Sequence, residues 1–156
     1  MVRDLGIIDY PINKILTGRK RGDFILVKLR KINMKTAVFM GIIFYSLTIL
    51  IHFLIISKRI PFTWVNGGRS ESFAEQLPIS IISIVISIIG VVFTIIVGRI
   101  KPYKWRVIPV ICWFLVVLWS FGFIQQLFGT PFEVMVCSLI LLIGVISNLR
   151  MAIEKV

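Results

Sequence analysis

"TAVFMGIIFYSLTILIHFLIIS", residues 36–57, runs for 22 residues without a Lys, Arg, Asp or Glu. At a helical rise of ~1.5 Å per residue such a block extends ~33 Å, enough to cross a hydrocarbon core about 30 Å thick. Residues 77–98 and 107–128 form two more uncharged blocks, and 134–149 a shorter one that Pro131 and Phe132 lengthen to 131–149. Helix is the state open to them, because lipid offers no partner to backbone N–H and C=O groups. The sequence therefore predicts an all-α integral membrane protein, a four-transmembrane-helix antiparallel bundle.

Composition agrees. Of the 156 residues, 58% are hydrophobic and 16% charged, and the mean hydropathy is +0.97. A soluble domain averages roughly 25% charged residues, and one of this length has too much surface for its volume to hide so much apolar area. The net charge of +11 would suggest nucleic acid in a soluble chain. Here the basic residues adjoin the apolar blocks, so the partners they imply are membrane lipids, with anionic headgroups on the cytoplasmic face, and no nucleic acid.

Orientation follows from where those residues fall. Nine Lys and Arg precede Thr36, four (Arg99, Lys101, Lys104, Arg106) lie between the second and third blocks, and Arg150 and Lys155 close the chain. The other two loops hold Lys58, Arg59 and Arg69. Fifteen against three places both termini in the cytoplasm and the stretch "FTWVNGGRSESFAEQ", residues 62–76, outside. Residues 1–35 form a basic N-terminal arm ahead of a membrane domain spanning 36–156. Solvated, the arm only fixes topology; along the inner headgroups, Phe24, Ile25, Leu26, Val27 and Leu29 would dip inward. A start at Met34 would remove most of it and leave the charge bias standing. The Ile- and Lys-rich usage points to a bacterial cytoplasmic membrane.

Small residues pick out one face of the second block. Ser80, Ser83, Ser87, Gly90, Thr94 and Gly98 recur at helical spacing between large, mostly β-branched positions. Such a face admits a neighbouring backbone, so close helix packing is the simpler reading and a hydroxyl-lined pathway the bolder one. The first block carries a weaker version in Ala37, Gly41, Tyr45, Thr48 and His52, which predicts that the two pack small face to small face. Between the third and fourth blocks, "GTPFE" (129–133) reads as a left-handed Gly129, an N-cap Thr130, Pro131 in the first turn and Glu133 closing a capping box. Ser72 and Glu75 suggest a second box ahead of the second block.

His52 is the only histidine and the only ionisable group inside a span. An ionisable group in a membrane is a functional hypothesis by default. Antiparallel order brings it to the outer mouth with Asn66, Arg69, Gln126 and Glu133. The expectation is a His52 ring facing the bundle, within one hydrogen bond or one bridging water of Glu133 or Gln126. Asn66-Gly67-Gly68 forms a turn whose amides, beside Arg69, suit an anion such as a lipid phosphate. The plainer readings are a neutral His52 bonded to a neighbouring helix and a Glu133 that only caps its own.

Chemistry beyond this has no signature. One His and two scattered Cys give no metal-ligand spacing, and Cys112 and Cys137 fall at different depths, so free thiols are expected. No phosphate loop, nucleophile elbow or paired intramembrane carboxylate occurs. No cofactor is implied. The first functional reading is a small membrane protein acting through protein or lipid contacts, in an accessory or envelope-maintenance role. Its rivals are a membrane enzyme or headgroup-binding protein using the outer cluster, and an oligomeric transporter or channel subunit. A protein partner or a second copy of the chain is compatible with the first.

Overall fold

Local capping decides where each helix begins. In the computed structural model, which describes residues 28–99 and 107–154, Asn33 accepts the N–H of Lys35 and opens α1 (Met34–Ile56). Lys58, at φ 58°, closes that helix: its N–H bonds back to Ile55 O, and those of Arg59 and Ile60 to Leu54 O. This is the left-handed stop that usually takes glycine. Ser72 accepts the Glu75 N–H at 3.3 Å to open α2 (Phe73–Arg99). Glu75 returns its carboxylate to the N–H of Glu71 (2.9 Å) and not to that of Ser72, so the second capping box is offset by one residue.

Helix α3 (Val107–Gln126) ends two residues before the third uncharged block does, in a tight turn where the N–H groups of Leu127, Phe128 and Gly129 fold back on Ile124, Gln125 and Gln126. Helix α4 (Glu133–Ala152) opens with one π-helical turn, Glu133–Cys137, in which Ser138 N–H reaches the Glu133 carbonyl five residues back. It runs on past the fourth block to include Arg150. Helices α2 and α4 overrun their apolar blocks to include Arg99 and Arg150, because headgroups and water accept the charged ends.

All four helices are long and apolar enough to cross a membrane. Large apolar side chains such as Ile82, Ile89, Phe114 and Val117 are exposed on their outer faces. In water such a surface would aggregate. The chain is an integral membrane protein, an all-helical bundle of four antiparallel spans. By compactness it divides into residues 1–32 and 33–156. Of the first unit only 28–32 are described, a single helical turn. The rest of the expected basic arm and the loop at 100–106 lie outside the described residues.

Within the bundle α1 packs on α2 and on α4, and α4 packs on α3, whereas α2 and α3 have no such close interface among the described residues. At the end where α1 begins and α4 stops, side chains from all four helices close a core of Ala37, Val97, Ile108, Cys112, Met151 and Ala152. Further along, Phe44, Tyr45 and Leu141 form a second core against Trp119 and Phe123. Beyond that, toward the two short loops, the spans part.

The α1–α2 contact brings the two expected faces together, with Tyr45 as the large member of the α1 face. Gly41 lies against Thr94 and Ser147, and a Cβ on Gly90 would overlap the ring of Tyr45. A large side chain of α1 thus fills the gap that α2 leaves. Trp119 Nε1–H donates to the Tyr45 hydroxyl at 3.3 Å, and the Phe44 and Trp119 rings meet edge-on at 5.2 Å. Ser147 donates to the Ala37 carbonyl at 2.8 Å, tying α4 to α1.

Candidate functional site

The parted ends of the helices enclose a cavity of about 710 Å³. Its floor is the aromatic layer of Phe44 and Trp119, with Leu141 beside it. Its polar upper wall carries His52 from α1, Asn66, Gly67 and Arg69 from the first loop, Gln76, Ser83 and Ser87 from α2, Gln125 and Gln126 from α3, and Glu133 from α4. Ile79 and Ile86 of α2 and Leu118 and Phe121 of α3 line it as well and are exposed, so its rim on that side is apolar. One end of the space is wet in character and the other greasy.

The two loops meet over the polar end. Asn66, Gly67 and Gly68 all hold positive φ (57°, 66° and 68°), as the Asn-Gly-Gly signal predicts. That turn aims the Gly67 N–H at both oxygens of Glu133, at 3.1 and 3.0 Å. Thr130 N–H reaches Glu133 Oε2 at 2.8 Å, and Glu133 N–H reaches Thr130 Oγ1 at 3.3 Å, which completes the expected capping box. The Thr130 hydroxyl also donates to the Trp64 carbonyl, and the Trp64 and Phe132 rings lie 5.6 Å apart.

Gly129 is not left-handed; among the described residues positive φ falls only on Lys58, Asn66, Gly67 and Gly68. The glycine is needed for a different reason. A Cβ there would overlap the Glu133 carboxylate as it folds back to cap its helix.

All five residues of the anticipated outer cluster, His52, Asn66, Arg69, Gln126 and Glu133, line this one cavity. Of the bonds anticipated for His52, no direct one to Glu133 or to Gln126 forms among the described residues. Glu133 gives its acceptors to Gly67 and Thr130, and His52 Nδ1 is buried with no hydrogen-bond partner in the protein. Gln126 Oε1 and Ser87 Oγ are buried and unpartnered too. A buried polar group left unsatisfied costs about 1–3 kcal/mol. All three belong to residues that line the cavity.

The serine face of α2 divides by height. Gly90 and Thr94 pack against α1, Ser80 is buried in a side-chain network, and Ser83 and Ser87 line the cavity. That network runs from Asn66 Nδ2 to Ser70 Oγ (3.3 Å), from Ser70 Oγ to Gln76 Oε1 (2.8 Å), and from Gln76 Nε2 to Ser80 Oγ (3.3 Å). Gln76, at 0% exposure, is its centre, and sequence reasoning passed it over. Its signal was present: Gln76 stands one helical turn before Ser80 and extends the same face. Cys112 and Cys137 are free thiols, as expected, the first in the terminal core and the second in the cavity wall.

No protein-family model matches the chain, and neither a curated protein nor a solved structure does. The site is therefore read from its own geometry. It offers hydrogen bonds, one guanidinium and one carboxylate above an apolar floor. It offers no nucleophile and base in contact, since His52 bonds to neither Ser87 nor Cys137 among the described contacts.

Proposed function

We propose that this chain is a lipid-binding membrane protein that admits one membrane amphiphile to the cavity between its spans. The polar headgroup lies under the two loops and the hydrocarbon follows the apolar rim between α2 and α3. The observation that carries this is that one cavity is lined both by polar side chains, Arg69, Gln76, Ser83, Gln125 and Glu133 among them, and by exposed apolar ones. A purely aqueous ligand would not use the greasy rim, and a bare acyl chain would leave the polar atoms unsatisfied.

The charge bias supports placing the loop end outside, so the amphiphile comes from the outer leaflet, while the basic residues at the other end meet anionic headgroups of the inner one. The reading joins two of the functions anticipated from sequence, lipid contact and headgroup recognition. It supplies a role in envelope maintenance without requiring a catalytic step.

Ser83 provides the test. Its hydroxyl is bonded to Ile79 O at 2.8 Å and it lines the cavity without being part of the tight α1–α2 contact. Ser83→Leu should fill part of the space and leave the fold intact. Lipid retained through purification in mild detergent, counted by mass spectrometry, should fall several-fold in the variant at unchanged Tm. Wild-type protein that is stable and carries no lipid would end the proposal.

A further inference from the structure

Resting on that reading, we infer that the headgroup is a zwitterionic aminoalkyl phosphate, its phosphate paired with Arg69 and its ammonium with Glu133. Arg69 and Glu133 are the only Lys, Arg, Asp or Glu among the residues lining the cavity, so the formal charge of that lining, with His52 neutral, sums to zero. Neither has an ion-pair partner among the described residues, where Arg150–Glu154 is the pair that forms. The two charges also differ in setting. Arg69 is exposed at the mouth, whereas Glu133 is 4% exposed.

An anionic headgroup would satisfy Arg69 but bring its charge toward a buried carboxylate that has no cation to offset it. Removing charges from water is costly unless each finds an opposite partner. A zwitterion meets both requirements at once. Glu133 keeps an acceptor position: a carboxylate offers about four, and the Gly67 and Thr130 N–H groups take three. The bond to such a carboxylate is made by ammonium N–H donors. A primary ammonium carries such donors and a quaternary one does not, so a phosphoethanolamine-type headgroup fits better than a phosphocholine.

The full chain, stripped of lipid in detergent, is offered phosphatidylethanolamine, phosphatidylcholine and phosphatidylglycerol of one acyl composition in equal amounts. Native mass spectrometry counts what binds. Phosphatidylethanolamine should be retained about five- to tenfold over each of the others, the effect of one charge-assisted hydrogen bond. Glu133→Gln can still cap α4, because glutamine serves at that position of a capping box. It should bring phosphatidylethanolamine down to the level of the others, and Arg69→Gln should lower all three together. Equal binding of the lipids by the wild type, preference for the anionic or the quaternary lipid, or a Glu133→Gln variant with its preference intact overturns the headgroup assignment alone. Binding of none of the three by wild-type protein removes the lipid reading beneath it. Should Glu133→Gln fail to fold, the wild-type ranking and Arg69→Gln still decide.

Discussion

Gly90 and Ile88 lie two positions apart on α2 and ought to respond in opposite ways to the same side chain. Gly90→Leu drives a branched group into the Tyr45 ring and should cost at least about 1–3 kcal/mol in reversible unfolding. Ile88 is half exposed on the outer face, so Ile88→Leu should leave stability within about 0.5 kcal/mol. Gly129→Ala is the sharper case. Its methyl would displace the Glu133 carboxylate and strand the N–H groups of Gly67 and Thr130, a loss of roughly 1–3 kcal/mol that a lowered Tm in detergent would report. Helical spacing alone marks Gly90 as a contact position. It cannot reveal Gly129, because the crowding there comes from a carboxylate that turns back on its own loop. Gln76 was missed for a related reason. An amide near the end of a span reads as interfacial until Ser70 and Ser80 are seen on either side of it.

Caps are the elements most legible in sequence, since donor and acceptor lie within four residues of each other. Thr130 is the example. Thr130→Ala should remove the Glu133 N–H bond and the tie to the Trp64 carbonyl, for about 1–2 kcal/mol of stability by thermal unfolding. Its loss should also loosen the first loop, measurable as faster amide exchange at Gly67. The π-helical turn of Glu133–Cys137 is not legible in this way. Whether an N–H reaches four or five residues back depends on what packs around the turn, and here the wider turn sets both Glu133 and Cys137 in the cavity wall. The serine stripe of α2 is legible as a stripe only. That Gly90 and Thr94 pack while Ser83 and Ser87 line a space depends on where α3 stands, and no residue of α2 encodes that.

The molecule as a whole was anticipated from charge segregation: four uncharged blocks give four spans, and short loops make neighbours antiparallel. The side on which each end lies is a separate expectation. Reporter fusions after Arg69 should behave as external and fusions at the C-terminus as cytoplasmic; the reverse pattern would move the cavity to the inner leaflet. What sequence could not supply is the splaying of the spans, closed at one end by Met151 and Cys112 and parted at the other. With an apolar rim between α2 and α3, the amphiphile we propose would exchange sideways with its neighbours in the sheet of lipid. Its occupancy would then be governed by the mole fraction of that amphiphile in one leaflet and be indifferent to the volume of surrounding water. Washing membranes would leave it unchanged, while blending in a foreign lipid would titrate it away.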